Sequence, residues 1–113
     1  MEKNGFVVLT VEGDIDVASI DTLDSKIKEF MFIEDKDVLV DINGLRFINS
    51  VGMAVIGYYA VKAREDDKFF GLINRNKKMK KFLAENGIEG MVDIYPDAEN
   101  AFRSIETIKG ERP

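Results

Sequence analysis

Residues 45–56, LRFINSVGMAVI, decide how the rest of the chain is read. An apolar run pauses on one polar pair, Asn49-Ser50, then passes through Val51-Gly52 into a segment apolar nearly all round as far as Lys62. A helix of that composition is expected to pack in the interior of a domain rather than on its surface. Ser50 stands at its threshold, and two readings are open. The hydroxyl is a helix N-cap, accepting a backbone N–H one turn in and contributing about 1 kcal/mol, or it is left out for another protein to use. Met53 occupies the position where a capping box would carry Glu or Gln. Gly52 lies in the first turn, where glycine costs roughly 0.5–1 kcal/mol relative to alanine, and it suits a close approach to the backbone. The two readings are compatible, because helix N-termini attract phosphate through free N–H groups and the macrodipole.

Upstream, Val38-Leu39-Val40-Asp41-Ile42 is a nearly continuous apolar strand, the pattern of a strand covered on both faces, and Asn43-Gly44 is expected to turn the chain after it. Before the polar loop Glu34–Asp37, Ile20, Leu23, Ile27 and Phe30 recur at helical spacing, with Ser19 or Asp16 as the cap. Phe6–Val11 reads as a strand that Gly13-Asp14-Ile15-Asp16 ends; only three residues precede the Asn4-Gly5 turn signal, which leaves its outer edge open or served by a partner chain. Downstream come a strand at Phe69–Ile73 and a helix from Asn76 to Asn86 with Met79, Phe82 and Leu83 inward. Gly87 stops that helix, Met91–Ile94 forms a short strand, and a last helix after Pro96-Asp97 turns in Ala98, Ala101, Phe102 and Ile105. Strand and helix alternate throughout. The expected fold is a single compact α/β domain over residues 1–113: a mostly parallel sheet of four to five strands, right-handed crossovers and about four covering helices.

Composition narrows the chemistry. The 113 residues are 45% hydrophobic and 33% charged, enough for one core. Cys and His are both absent, which removes disulfides, thiolate nucleophiles, the Ser-His-Asp triad and His- or Cys-ligated metals. Ser50 also lacks the first glycine of a nucleophile elbow, since Ile48 stands there. No signal peptide or run of roughly 20 apolar residues is present, so a cytoplasmic protein without membrane contact is expected. The net charge of −5 splits into +5 over residues 74–81 (Arg75, Lys77, Lys78, Lys80, Lys81) and −10 elsewhere. That basic run reads as a solvated helix face or a docking patch for an acidic partner, and direct nucleic-acid binding is not expected. Asp14, Asp16 and Asp41 leave one enzymatic alternative, a receiver-like aspartyl phosphoacceptor or a small Mg²⁺-dependent enzyme.

Two motifs carry a family resemblance across nearly the whole chain. Gly13-Asp14-Ile15-Asp16 closes a strand before an amphipathic helix, and Leu45-Arg46-Phe47-Ile48-Asn49-Ser50-Val51-Gly52-Met53 follows. In this order they resemble the anti-sigma factor antagonists, which are STAS-domain proteins. The resemblance implies a protein-binding switch that is not itself an enzyme and needs no cofactor or metal. Its partner would be an anti-sigma factor with serine kinase activity, and a serine phosphatase would reset it. Ser50 would be the phosphoacceptor, and Asp14, Asp16, Asn49, Val51, Gly52 and Met53 the partner contacts, on a monomer or weak dimer. Asn49 stands where the family carries aspartate, and Val51 where it carries a second hydroxyl. A STAS adaptor that is never phosphorylated is the third reading.

Overall fold

The apolar run at residues 38–42 becomes the centre of the molecule. In the computed structural model, which describes Glu2–Lys3 and residues 5–110, β3 (Asp37–Phe47) lies between β2 (Phe6–Asp14) and β4 (Phe70–Ile73) and is parallel to both. Val38, Leu39 and Val40 are fully buried. β5 (Asp93–Tyr95) joins β4 in parallel, and β1 (Glu2–Lys3) turns through Gly5, at φ +83°, to pair antiparallel with Phe6 and Val7. The strand order is therefore β1-β2-β3-β4-β5, and the start of the β2 edge expected to be open is covered by this short pairing.

Helices α1 (Val17–Lys28), α2 (Ser50–Glu65) and α3 (Lys77–Glu85) each carry the chain from one parallel strand to the next. The strand order always steps the same way, so right-handed crossovers lay all three on one face. Ile20, Leu23 and Ile27 of α1, Ile56 and Tyr59 of α2, and Met79 and Leu83 of α3 share one core with Val38, Val40 and Leu72. The other face is left to α4 (Ala98–Gly110), whose Ala101, Phe102 and Ile105 pack on Phe6, Val8, Leu39 and Ile73. Two polar clasps bind these layers. Tyr59 donates its hydroxyl to Asp24 Oδ1 at 2.8 Å, joining α2 to α1, and burial together with that carboxylate pushes the phenol well above its usual pKa. Buried Asp37 accepts from the Phe69 N–H at 2.9 Å and from Lys109 Nζ at 2.5 Å, tying the end of α4 to the start of β3.

Three local expectations are corrected. Asp37 is the first residue of β3, not part of a polar loop, which is instead preceded by a π turn at Glu29–Ile33. Asn43-Gly44 does not turn the chain: β3 runs through it, Gly44 opposite Glu12, after a register shift between Thr10 and Glu12. A Cβ at Gly44 would stand 2.9 Å from Glu12 Cγ, so the glycine serves a close strand approach. Nor is α2 an interior helix. Val51, Tyr58 and Val61 are exposed on its outer face.

Candidate functional site

Parallel pairing brings the β2–α1 and β3–α2 loops side by side. The register ends with Asp14 opposite Phe47, and the Ile15 N–H donates to the Phe47 carbonyl at 3.2 Å. Gly13, at φ +76°, bends the first loop, and Asp16 caps α1 by accepting the Ser19 N–H at 2.9 Å. That backbone hydrogen bond holds the Asp16 carboxyl below its ordinary 3.8.

In the second loop the cap is Asn49, not Ser50: Asn49 Oδ1 accepts the Gly52 N–H at 2.8 Å. Ser50 is the first helical residue. Its side chain is exposed and, among the described residues, its hydroxyl has no hydrogen-bond partner. Gly52 is buried; a Cβ there would lie 2.9 Å from Ile48 Cγ1 and 3.3 Å from Ile15 Cγ2. What approaches the Gly52 backbone closely is thus the protein's own core, and the glycine lets the two loops close on each other. Asp14 and Asp16 are exposed on the rim, Asp14 with Arg46 at 3.4 Å; Asn49 and Met53 are half-buried, and Val51 is 56% exposed.

Several surface residues beside Ser50 escaped the motif-based reading. Val17 is 78% exposed directly after Asp16, and Phe47 is exposed at the end of β3. Along α2, Ser50, Met53, Ala54, Gly57, Tyr58 and Val61 line a shallow depression of about 560 Å³, closed on its far side by Ile88 and Met91. The signal was available: these positions follow helical spacing from Ser50, and an apolar helix too uniform to be amphipathic can bury one face at home and present the other.

The carboxylates of the receiver-like alternative are not gathered. Asp41 sits opposite Thr10, and its Oδ1 accepts both the N–H and the side-chain amide of Asn43. Asp14 is four residues further along β2, roughly 13 Å at strand rise. Among the described residues no group of three or more carboxylates is arranged to hold a metal ion, and no helix is long and apolar enough to cross a membrane.

The sequence matches the STAS domain over residues 1–101. The chain belongs to the STAS domain family. A relative of this STAS domain, the anti-sigma-F factor antagonist RsfB of Mycobacterium tuberculosis, is 21% identical over 104 residues, which are 92% of this chain and 84% of RsfB. An anti-sigma factor antagonist from Mycobacterium paratuberculosis superposes with a TM-score of 0.77 at 19% identity, covering 94% of this chain and 90% of that one. The Bacillus antagonist SpoIIAA does so in its phosphorylated form with a TM-score of 0.71 at 18% identity, over 93% and 95% of the two chains. At these identities the superpositions establish the fold.

Proposed function

We propose that this STAS domain is an anti-sigma factor antagonist that docks an anti-sigma factor with serine kinase activity through the surface around Ser50, and is released when Ser50 is phosphorylated. One observation carries the reading: the Ser50 hydroxyl is exposed at the mouth of α2 and has no hydrogen-bond partner among the described residues, Asn49 having taken over the cap. Asp14, Asp16, Val51 and Met53 supply contacts around it, and Val17, Phe47 and the outer face of α2 add apolar area. Asn49 and Gly52 act beneath them, fixing the loop. The RsfB and SpoIIAA names, and a SpoIIAA structure in phosphorylated form, support the same assignment.

The switch is electrostatic. Phosphate adds about −1.5 to −2 charges. At a helix N-terminus the dipole favours that charge by about 0.3–1 kcal/mol, so the scaffold survives and the penalty falls on the interface. One new like-charge contact near 4 Å, at an effective dielectric of 20, costs roughly 4 kcal/mol, about a thousandfold in affinity. The domain contributes the acceptor and the surface. ATP and Mg²⁺ belong to the kinase, and a serine phosphatase restores the free hydroxyl.

The test is recovery of the domain from its native lysate, with mass spectrometry for a phosphate on Ser50 and a pull-down of the partner by Ser50→Ala and Ser50→Asp. The alanine variant retains the partner and the aspartate variant loses it. Equal retention by both, with Ser50 unmodified, would leave a constitutive adaptor in its place.

A further inference from the structure

The basic run at residues 74–81 is not used by the Ser50 switch. In the fold it borders a groove of about 450 Å³ between the tail of β3 and the first two turns of α3. Leu45, Phe47, Met79 and Phe82 give this groove an apolar lining, and Arg46 and Lys78 stand in its walls. Lys77 and Lys80 lie on the outer side of the same helix, turned roughly 100° and 160° from Lys78, and do not line the groove. Among the described residues none of these three lysines has a carboxylate partner, whereas Lys81 pairs with Glu85 and Arg75 with Asp97. The groove lining itself holds two cations, Arg46 and Lys78, and no carboxylate, on a chain that carries −10 outside residues 74–81. The α3 N-terminus is already satisfied, since Asn76 Oδ1 accepts from the N–H groups of both Lys78 and Met79. The cations are therefore the recognition feature here. Ile48, in the groove floor, stands two residues before Ser50 in the chain, while the groove and the depression along α2 share no lining residue.

We infer that this groove takes an acidic segment of the partner protein, with an apolar side chain seated between Phe47 and Phe82 and carboxylates reaching Arg46 and Lys78. That the owner of the segment is the protein that docks at Ser50 rests on the function proposed above; the preference of the groove for acidic peptide does not. A short acidic segment meets a lining that carries Arg46 and Lys78 and no carboxylate. A longer polyanion such as nucleic acid would run onto the negative remainder of the surface. Arg46 and Lys78 would steer association and fix the register of docking, and most of their effect disappears as salt screens them.

The test is a ¹⁵N–¹H titration of the whole domain with an eight-residue peptide of Glu and Asp bearing two Leu residues. The same peptide with Lys for each acid, and an oligothymidylate of equal length, serve as competing probes. Saturable shifts centred on residues 44–48 and 76–82, weakened about tenfold by raising salt from 0.05 to 0.5 M and by Lys78→Glu, are expected with the acidic peptide alone. Arg46→Glu, on the opposite wall, should act in the same direction and guards against a folding defect in α3. Ser50→Asp should leave this titration unchanged, so failure of the groove and failure of the phosphorylation switch are separately visible. Shifts scattered over the surface, equal binding by Lys78→Glu, or a response to the lysine peptide would overturn the inference. Tighter binding of the oligothymidylate at the same residues would overturn the choice of a protein segment.

Discussion

At position 49 an amide does what a carboxylate does at position 16. Each side-chain oxygen accepts a first-turn N–H, at 2.8 and 2.9 Å, and Asn and Asp are about equal as N-caps. Asn49→Asp should therefore leave the urea midpoint nearly unchanged, whereas Asn49→Ala should cost about 1 kcal/mol. Ser50→Ala should be neutral in the same assay, since its hydroxyl has no hydrogen-bond partner among the described residues. The charge at Asp16 has a separate signature. Its folded pKa lies below 3.8 because of the Ser19 N–H, so its stabilising effect is present above that value and is lost as pH falls through the folded pKa. Asp16→Asn keeps the cap and should flatten that part of the acid limb in a series of urea titrations against pH. This is also where sequence reasoning stops. Asn49 and Ser50 are adjacent and both are favoured caps; which one caps is decided by Ile48, whose burial fixes where β3 ends. The exposed hydroxyl was legible as a candidate, and the residue beneath it that frees it was not.

Among the elements, α2 shows how one helix serves core and surface together. Its inward face seats Ile56, Tyr59, Ala60 and Ala63, and its outward face carries Ser50, Ala54, Tyr58 and Val61. Composition marked the helix as apolar all round but could not say that only one side is covered, because that follows from three crossovers sharing one layer. The Asn43-Gly44 pair misled for a related reason. A hairpin signal has meaning only beside an antiparallel partner, and here the neighbour is parallel β2, with Glu12 crossing the space a Cβ would fill. By contrast, the buried faces of α1, α3 and α4 were all legible, since each is amphipathic and its apolar positions meet the sheet. To the apolar contact between α1 and α2 one phenol adds a hydrogen bond. Tyr59→Phe removes the hydrogen bond to Asp24 while keeping the ring packed against Phe32 and Phe70. It should cost about 1–2 kcal/mol by chemical denaturation, with the sheet unaffected in circular dichroism.

For the whole molecule, the layer under α4 contributes to stability from the side of the sheet opposite the proposed docking surface. On the face toward α4, Ala101, Phe102 and Ile105 pack against Phe6, Val8, Leu39 and Ile73, with Phe69, Tyr95 and Ala98 partly buried around them, and Phe102 meets the Phe6 ring at 5.4 Å between centroids. Phe102→Ala removes the largest of the side chains α4 packs there and should cost about 3–5 kcal/mol. That is a large fraction of the roughly 5–15 kcal/mol that holds a domain of this size. Ser50, the outer face of α2 and the cationic groove all lie on the side carrying α1, α2 and α3, so they should not register the loss while the domain remains folded. The two perturbations are then expected to be orthogonal. Phe102→Ala should melt far below the parent yet bind the partner with parental affinity at a temperature where both are folded. Ser50→Asp should melt with the parent and bind far more weakly, toward the thousandfold loss a close like-charge contact produces. Calorimetric melting and partner titration of both variants check the pair. If Phe102→Ala, still folded, lost affinity as Ser50→Asp does, then the docking surface would depend on the packing of α4, and a switch acting by local charge alone would have to be given up.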